Sequence, residues 1–80
     1  MEKITFPTED INLAAFLLCR GALFVSMNPK ERGRAVFILT VNPEDLSEYL
    51  NGKPQVEVKM FLTFWNFLRD KISELRSKTQ

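Results

Sequence analysis

Between Asp10 and Gly21 the chain reads Ile11-Asn12-Leu13-Ala14-Ala15-Phe16-Leu17-Leu18-Cys19-Arg20, and only Asn12 and Arg20 interrupt the apolar residues. At about 100° per residue those side chains point in nearly every direction around a helix. Such a helix has no face to give to water and must be covered almost all round. Thr8 as cap, acids at Glu9 and Asp10 where the dipole favours negative charge, and Gly21 as stop set its predicted limits. The unbroken run from Leu13 to Cys19 is far short of the roughly 20 residues a membrane span needs. The required cover is therefore protein.

The rest of the chain supplies it in a changing period. Ala22–Met27 and Arg34–Val41 read as two strands, and Asn28-Pro29-Lys30-Glu31-Arg32-Gly33 between them is turn chemistry, so an antiparallel hairpin is expected. The second strand is apolar on both alternating faces, Val36 and Ile38 on one, Phe37 and Leu39 on the other. That predicts something packed on each side of the sheet. Ile4-Thr5-Phe6, closed by Pro7, is a candidate third strand at an edge. Asn42-Pro43-Glu44-Asp45 starts a short helix carrying Leu46, Tyr49 and Leu50 and ending at Asn51-Gly52. Lys53-Pro54-Gln55 reads as loop and Val56-Glu57-Val58 as extended. From about Lys59 to Arg76 runs the longest helix, with Phe61, Phe64, Trp65, Leu68, Ile72 and Leu75 on one face. Met60 and Phe67 widen that stripe to roughly 160°. Arg69, Asp70, Ser73 and Arg76 lie opposite, and Glu74 with Lys78 forms a favourable pair four residues apart. The expected fold is α+β: a β-hairpin, with the short N-terminal segment as a third strand, packed with three helices in the order (β)-α-β-β-α-α. Eighty residues make one domain, 1–80, with 77–80 as a frayed tail.

The run Thr8-x-Asp10-x-x-Leu13-Ala14-Ala15-Phe16-Leu17-Leu18-x-x-Gly21, the strand Ala35-Val36-Phe37-Ile38-Leu39, then Tyr49-Leu50-Asn51-Gly52, then Phe61 with Phe67-Leu68-Arg69 and Ile72, resembles a family of small uncharacterised bacterial and phage-type proteins. The resemblance spans nearly the whole chain and implies a single domain of unknown function. It carries over no catalytic or binding residue. One departure is Val58-Lys59 at the start of the last helix, where the family pattern suggests proline or arginine after the valine.

Composition excludes much chemistry. The chain has no histidine and one cysteine, so Cys/His metal centres, histidine-based triads and an intrachain disulfide framework are out of reach. Three glycines, all at predicted element ends, leave no phosphate-cradling loop. Glu9-Asp10 and Glu44-Asp45 are adjacent acids at helix starts, where they complement the dipole, and Asp70 with Glu74 sits on a solvated face. No enzyme activity, cofactor or metal is expected. Cys19 lies in an apolar run with no base available and reads as packing. The first residues, Met1 to Pro7, lack the basic start and long apolar run of a signal peptide, so a cytoplasmic protein with no membrane association is expected.

Two function classes remain, and a third, a small apolar ligand held between helices, is weaker. Eleven Lys and Arg against ten Asp and Glu give a net charge of +1, which excludes a uniformly basic coat for nucleic acid. The charge is nevertheless partitioned. Lys30, Arg32 and Arg34 make a basic hairpin tip, Asn42 to Glu57 is acidic, and Arg69 and Arg76 belong to a basic last helix. A DNA- or RNA-binding protein would touch phosphates with those five residues. The leading expectation is instead a non-enzymatic interaction module, a homodimer or adaptor. One core in so short a chain supplies little net stability, yet the first helix, the second strand and the last helix each demand extensive burial. Joining hairpins edge to edge, or packing last helices together, would meet the excess. Phe16, Leu17, Phe64, Trp65 and Phe67 are the candidate interface, with Trp65, at the edge of the stripe, the most apt to touch a partner.

Overall fold

The computed structural model describes residues 2–52 and 55–78, and side chains in the last helix through Leu75. Lys53, Pro54, Thr79 and Gln80, which the sequence makes loop and tail, lie outside it, as do the side chains of Arg76 and Lys78 and so the expected pairing of Lys78 with Glu74. The described residues form three strands and three helices in the order β1 (Ile4–Thr8), α1 (Ile11–Cys19), β2 (Leu23–Pro29), β3 (Ala35–Val41), α2 (Pro43–Leu50) and α3 (Val58–Lys78), with a 3₁₀ turn, Glu31–Gly33, inside the hairpin. This is the α+β architecture that the period changes predict.

The sheet is antiparallel with β3 in the middle, order β1-β3-β2. β1 runs through Pro7 to Thr8, which faces Phe37, so the proline sits inside the strand and does not close it. An edge strand tolerates this because the ring can turn its missing donor away from the neighbour. Extending β1 moves the helix cap. Asp10, not Thr8, caps α1: its carboxylate accepts from the amides of Asn12 at 2.9 Å and Leu13 at 3.2 Å, while Thr8 Oγ1 accepts from the Asp10 amide. At the other end Gly21, at φ +92°, lets Ala22 donate to the Leu17 carbonyl and its own amide to Leu18. That paired closure is the Schellman arrangement, and it needs a left-handed residue there.

Six consecutive residues of α1, Leu13 to Leu18, are buried, as an all-round apolar helix demands. They pack with Phe37, Leu39 and Val41 of β3 and Leu68 of α3, with Phe6, Phe24, Leu46, Tyr49, Phe61, Phe64, Trp65 and Ile72 around them. All the core residues from β3 have the same parity. Ala35, Phe37, Leu39 and Val41 are buried, whereas Val36, Ile38 and Thr40 are only half-buried and stand outside the core. The expectation of cover on both faces of the sheet is therefore corrected: α1 and its helical neighbours cover one face and leave the other open. Val56–Val58 is also not a strand. Glu57 caps α3, accepting from the amides of Lys59 at 2.7 Å and Met60 at 3.3 Å.

Candidate interaction surfaces

The basic hairpin tip is partly neutralised by its own chain. Because β1 ends beside β3, Glu9 comes next to the tip. Lys30 Nζ donates to Glu9 Oε2 at 2.9 Å, and Arg34 Nε lies 3.6 Å from Glu9 Oε1. The hydrogen bond from Lys30, helped by the charges of Lys30 and Arg34, holds the Glu9 carboxyl below its ordinary range. Arg32 makes no ion pair among the described residues and takes φ +62°, the left-handed region that a side chain disfavours. Pro29, Lys30, Glu31 and Arg34 line an open cleft of about 460 Å³ here. The tip thus offers one unengaged cation and two shared ones.

Arg69 is exposed on α3 with its guanidinium 5.5 Å from the centre of the Trp65 ring. No hydrogen bond or ion pair among the described residues joins α3 to the hairpin tip.

The candidate interface residues have mostly internal roles. Phe16 and Leu17 are 1% and 0% exposed, in the middle of the core, and present nothing to a partner. Their helix is satisfied within one chain. Phe64 packs on the core, and so does Trp65, whose indole N–H donates to Asn12 Oδ1 at 3.0 Å. Phe67 is half-exposed and meets Phe24 of β2 edge to face, the ring centres 5.5 Å apart. The aromatic stripe is thus largely occupied against α1 and β2.

One polar group that the sequence did not single out has the most polar partners of any side chain among the described residues. Arg20, at the C-terminal cap of α1, pairs with Glu48 of α2, approaches Asp45 at 3.7 Å and donates to the Gln55 carbonyl at 2.9 Å. Its guanidinium also lies 5.0 Å from the centre of the Phe16 ring. It ties α1, α2 and the segment before α3 together. Only the i, i+3 spacing of Asp45 and Glu48 on the acidic helix hinted at a cation between them. Beside it, Cys19 is half-buried, and burial, with Glu57 acting in the same sense, pushes its thiol above the ordinary value. A thiol held protonated is a poor nucleophile and metal ligand. Burial likewise raises Tyr49, which stacks obliquely on Phe16. No cluster of three or more metal-binding side chains forms among the described residues, and none of their helices is long and apolar enough to cross a membrane.

What remains is the uncovered side of the sheet. The register puts Thr5 and Pro7 of β1, Val36, Ile38 and Thr40 of β3, and Leu23, Ser26 and Asn28 of β2 on it. Val25 sits in a bulge between Phe24 and Ser26 and is also exposed. Leu23 is 58% and Val25 56% exposed. Within the strands no charged residue belongs to this face, and at the hairpin end Lys30 and Arg34, joined by a backbone hydrogen bond, continue its alternation together with Glu9. A sheet face meant for water normally alternates polar, often charged, residues outward. Elsewhere Leu50 is exposed between Tyr49 and Asn51, and on α3 Val58 and Leu62, one turn apart, are exposed with Met60 and Phe67.

Fold and surface together define a small α+β domain whose helices cover one side of a three-stranded sheet and leave the other bare. It belongs to the family described as domain of unknown function DUF5659, whose model matches residues 3–74. No curated protein and no solved structure matches the chain.

Proposed function

We propose that this chain is a non-enzymatic interaction module, a homodimer or adaptor that works by presenting the open sheet face to another polypeptide. The observation that carries this reading is the apolar patch made by Leu23, Val25, Val36 and Ile38 on that face. It replaces the helix surfaces as the contact region, since Phe16 and Leu17 are enclosed. The absence of histidine, the raised Cys19 thiol and the ion pairs that engage Glu9, Asp45 and Glu48 all favour binding over catalysis. The test is a photo-crosslinking residue placed at Leu23, and separately at the exposed Ser47 on α2, in the cell that makes the protein. Adducts to a polypeptide from Leu23 and not from Ser47 are expected. Adducts from Ser47 alone would refute the assignment of the face.

The alternative, nucleic-acid binding through Lys30, Arg32, Arg34, Arg69 and Arg76, draws on less. Glu9 engages two of those cations. The open face has no aromatic ring on which a base could stack, because Phe6, Phe24 and Phe37 all point to the core. Fluorescence anisotropy with random duplex DNA and RNA separates the two readings. Affinity that falls steeply with salt, and again when Arg32 becomes Ala, would favour the alternative.

A further inference from the structure

We propose that α3 carries a docking seam for an amphipathic helix of another protein, one that brings a carboxylate to Arg69. The seam is separate from the open sheet face and gives the module a second contact.

Spacing points to a helix. Val58, Leu62, Trp65, Arg69 and Ile72 recur at intervals of four, three, four and three residues, the a/d repeat through which helices pair. At about 100° per residue all five fall within about 80° of the α3 surface. The chain leaves this strip open. Val58 is 69% and Leu62 50% exposed, Arg69 is exposed, and Trp65 and Ile72 are half-buried where the strip borders the core. Length explains why α1 does not cover α3. With 9 residues against 21, α1 runs for about 14 Å beside a helix of about 31 Å. From Val58 to Ile72 the strip is about 21 Å long, room for a partner helix of about three heptads lying alongside.

Charge selects which helix. The Arg69 guanidinium lies 5.5 Å from the centre of the Trp65 ring, and that ring is itself held by its hydrogen bond to Asn12. A cation is therefore set within an apolar strip, and no described acid pairs with it. A partner that covers the strip takes Arg69 out of water, which is unfavourable unless an acid meets it. The strip supplies none. Lys59, Asn66 and Ser73 flank it, Asp70 and Glu74 lie about 120° or more from its centre, and Glu57 is engaged as the cap of α3. A second copy brings only the same strip, setting Arg69 against Arg69 in parallel or against apolar residues in antiparallel. The occupant is instead a different helix, apolar at a and d with Asp or Glu in the middle. Trp and Arg are also the residue types that most often dominate the energy of an interface.

The probes are two synthetic three-heptad helical peptides with leucine at the a and d positions. They differ only at the central one of these, which is glutamate in one and lysine in the other. That charge also opposes self-pairing of either peptide. Trp65, the only tryptophan in the chain, sits in the strip and reports occupancy by its fluorescence. The glutamate peptide should give a saturable change with a dissociation constant on the order of 100 µM, since a single helix contact buries less than a stable complex needs. The lysine peptide should bind at least about tenfold more weakly. Arg69→Glu should reverse that preference, which a purely apolar contact would not do. Leu62→Lys, at an exposed position, should weaken the glutamate peptide at least about tenfold, and Val25→Lys on the sheet should leave it unchanged. Equal binding of the two peptides, or no change at about 1 mM, refutes the seam. Loss with Val25→Lys and not with Leu62→Lys would put the peptide on the sheet; the seam then falls and the reading of the open face stands. Self-association of the chain that Leu62→Lys abolishes would refute the choice of a foreign helix.

Discussion

Arg20→Ala should be the most damaging single change outside the hydrophobic core. The guanidinium makes a charge-assisted bond to the Gln55 carbonyl, an ion pair with Glu48, a longer approach to Asp45 and a stack on Phe16. Its side chain is 30% exposed, so each term must be discounted for solvent screening. The Gln55 bond contributes about 1 kcal/mol, and the partly exposed pair with Glu48 about 0.5 kcal/mol. The Phe16 stack contributes about 0.5 kcal/mol. The cation also lies at the negative end of the α1 dipole, for a few tenths more. The sum is about 2 kcal/mol, a large share of the stability of so small a domain. Urea unfolding followed by Trp65 fluorescence measures it directly. Arg20→Lys keeps the charge but loses the planar fork and should recover less than half. A double-mutant cycle with Glu48→Ala should give a coupling of about 0.5 kcal/mol. If Arg20→Ala unfolds within about 0.5 kcal/mol of the parent, the guanidinium is an ordinary surface group and its role as a tie between helices is refuted.

Three further outcomes test other parts of the structure. Leu68, 0% exposed and the one fully enclosed residue described in α3, should cost about 3 kcal/mol as Leu68→Ala, read from the same unfolding curves. Arg32→Gly should stabilise the hairpin by up to about 1 kcal/mol, because it removes a side chain from φ +62°. A loss of stability there would mean that the side chain makes a contact of its own. Glu9→Gln should flatten the acid limb of the pH–stability profile. The Glu9 carboxyl is depressed in the folded chain, so its contribution is present above its ordinary value of 4.5 and is lost as pH falls below it. An unchanged limb would show that the Lys30 and Arg34 pairs contribute nothing in solution.

Much of the fold was legible because it is written in local periods. The all-round helix, the hairpin and the aromatic stripe of α3 each follow from residue spacing alone, and the structure places them close to where the spacing does. What was missed involves partners distant in sequence. Pro7 looked like a strand terminator because a proline's effect depends on which side its neighbour lies, and only β3 settles that. Thr8 and Asp10 are both competent caps, and the choice between them was made by how far β1 pairs. Arg20 appeared as an interruption in an apolar wheel, since Glu48 and Gln55 lie far along the chain. The basic tip is a cluster in sequence, but its pairing with Glu9 follows from tertiary placement.

The same distinction explains where the burial excess ended up. Three elements seemed to need more cover than 80 residues supply: α1, α3 and the two-faced β3. Helices satisfy one another cheaply, because each carries its apolar stripe on a surface that can turn toward the core. α1 and α3 therefore close on each other through Leu68 and enclose Phe16 and Leu17. A sheet has no such freedom. Its two faces are fixed by the alternation of side chains, and a one-residue register shift would merely exchange Phe37 and Leu39 for Val36 and Ile38. α1 lies on the inner face, where α3 also meets β2 through Phe67 and Phe24, and the helices leave the second face uncovered. The chain places Ala35, Phe37, Leu39 and Val41 inward and the β-branched Val36, Ile38 and Thr40 outward. That division lets the monomer fold with its outer face bare. It also leaves the face dry in character, so whatever covers it gains from removing Leu23, Val25 and Ile38 from water, and charge substitution there should change association far more than folding.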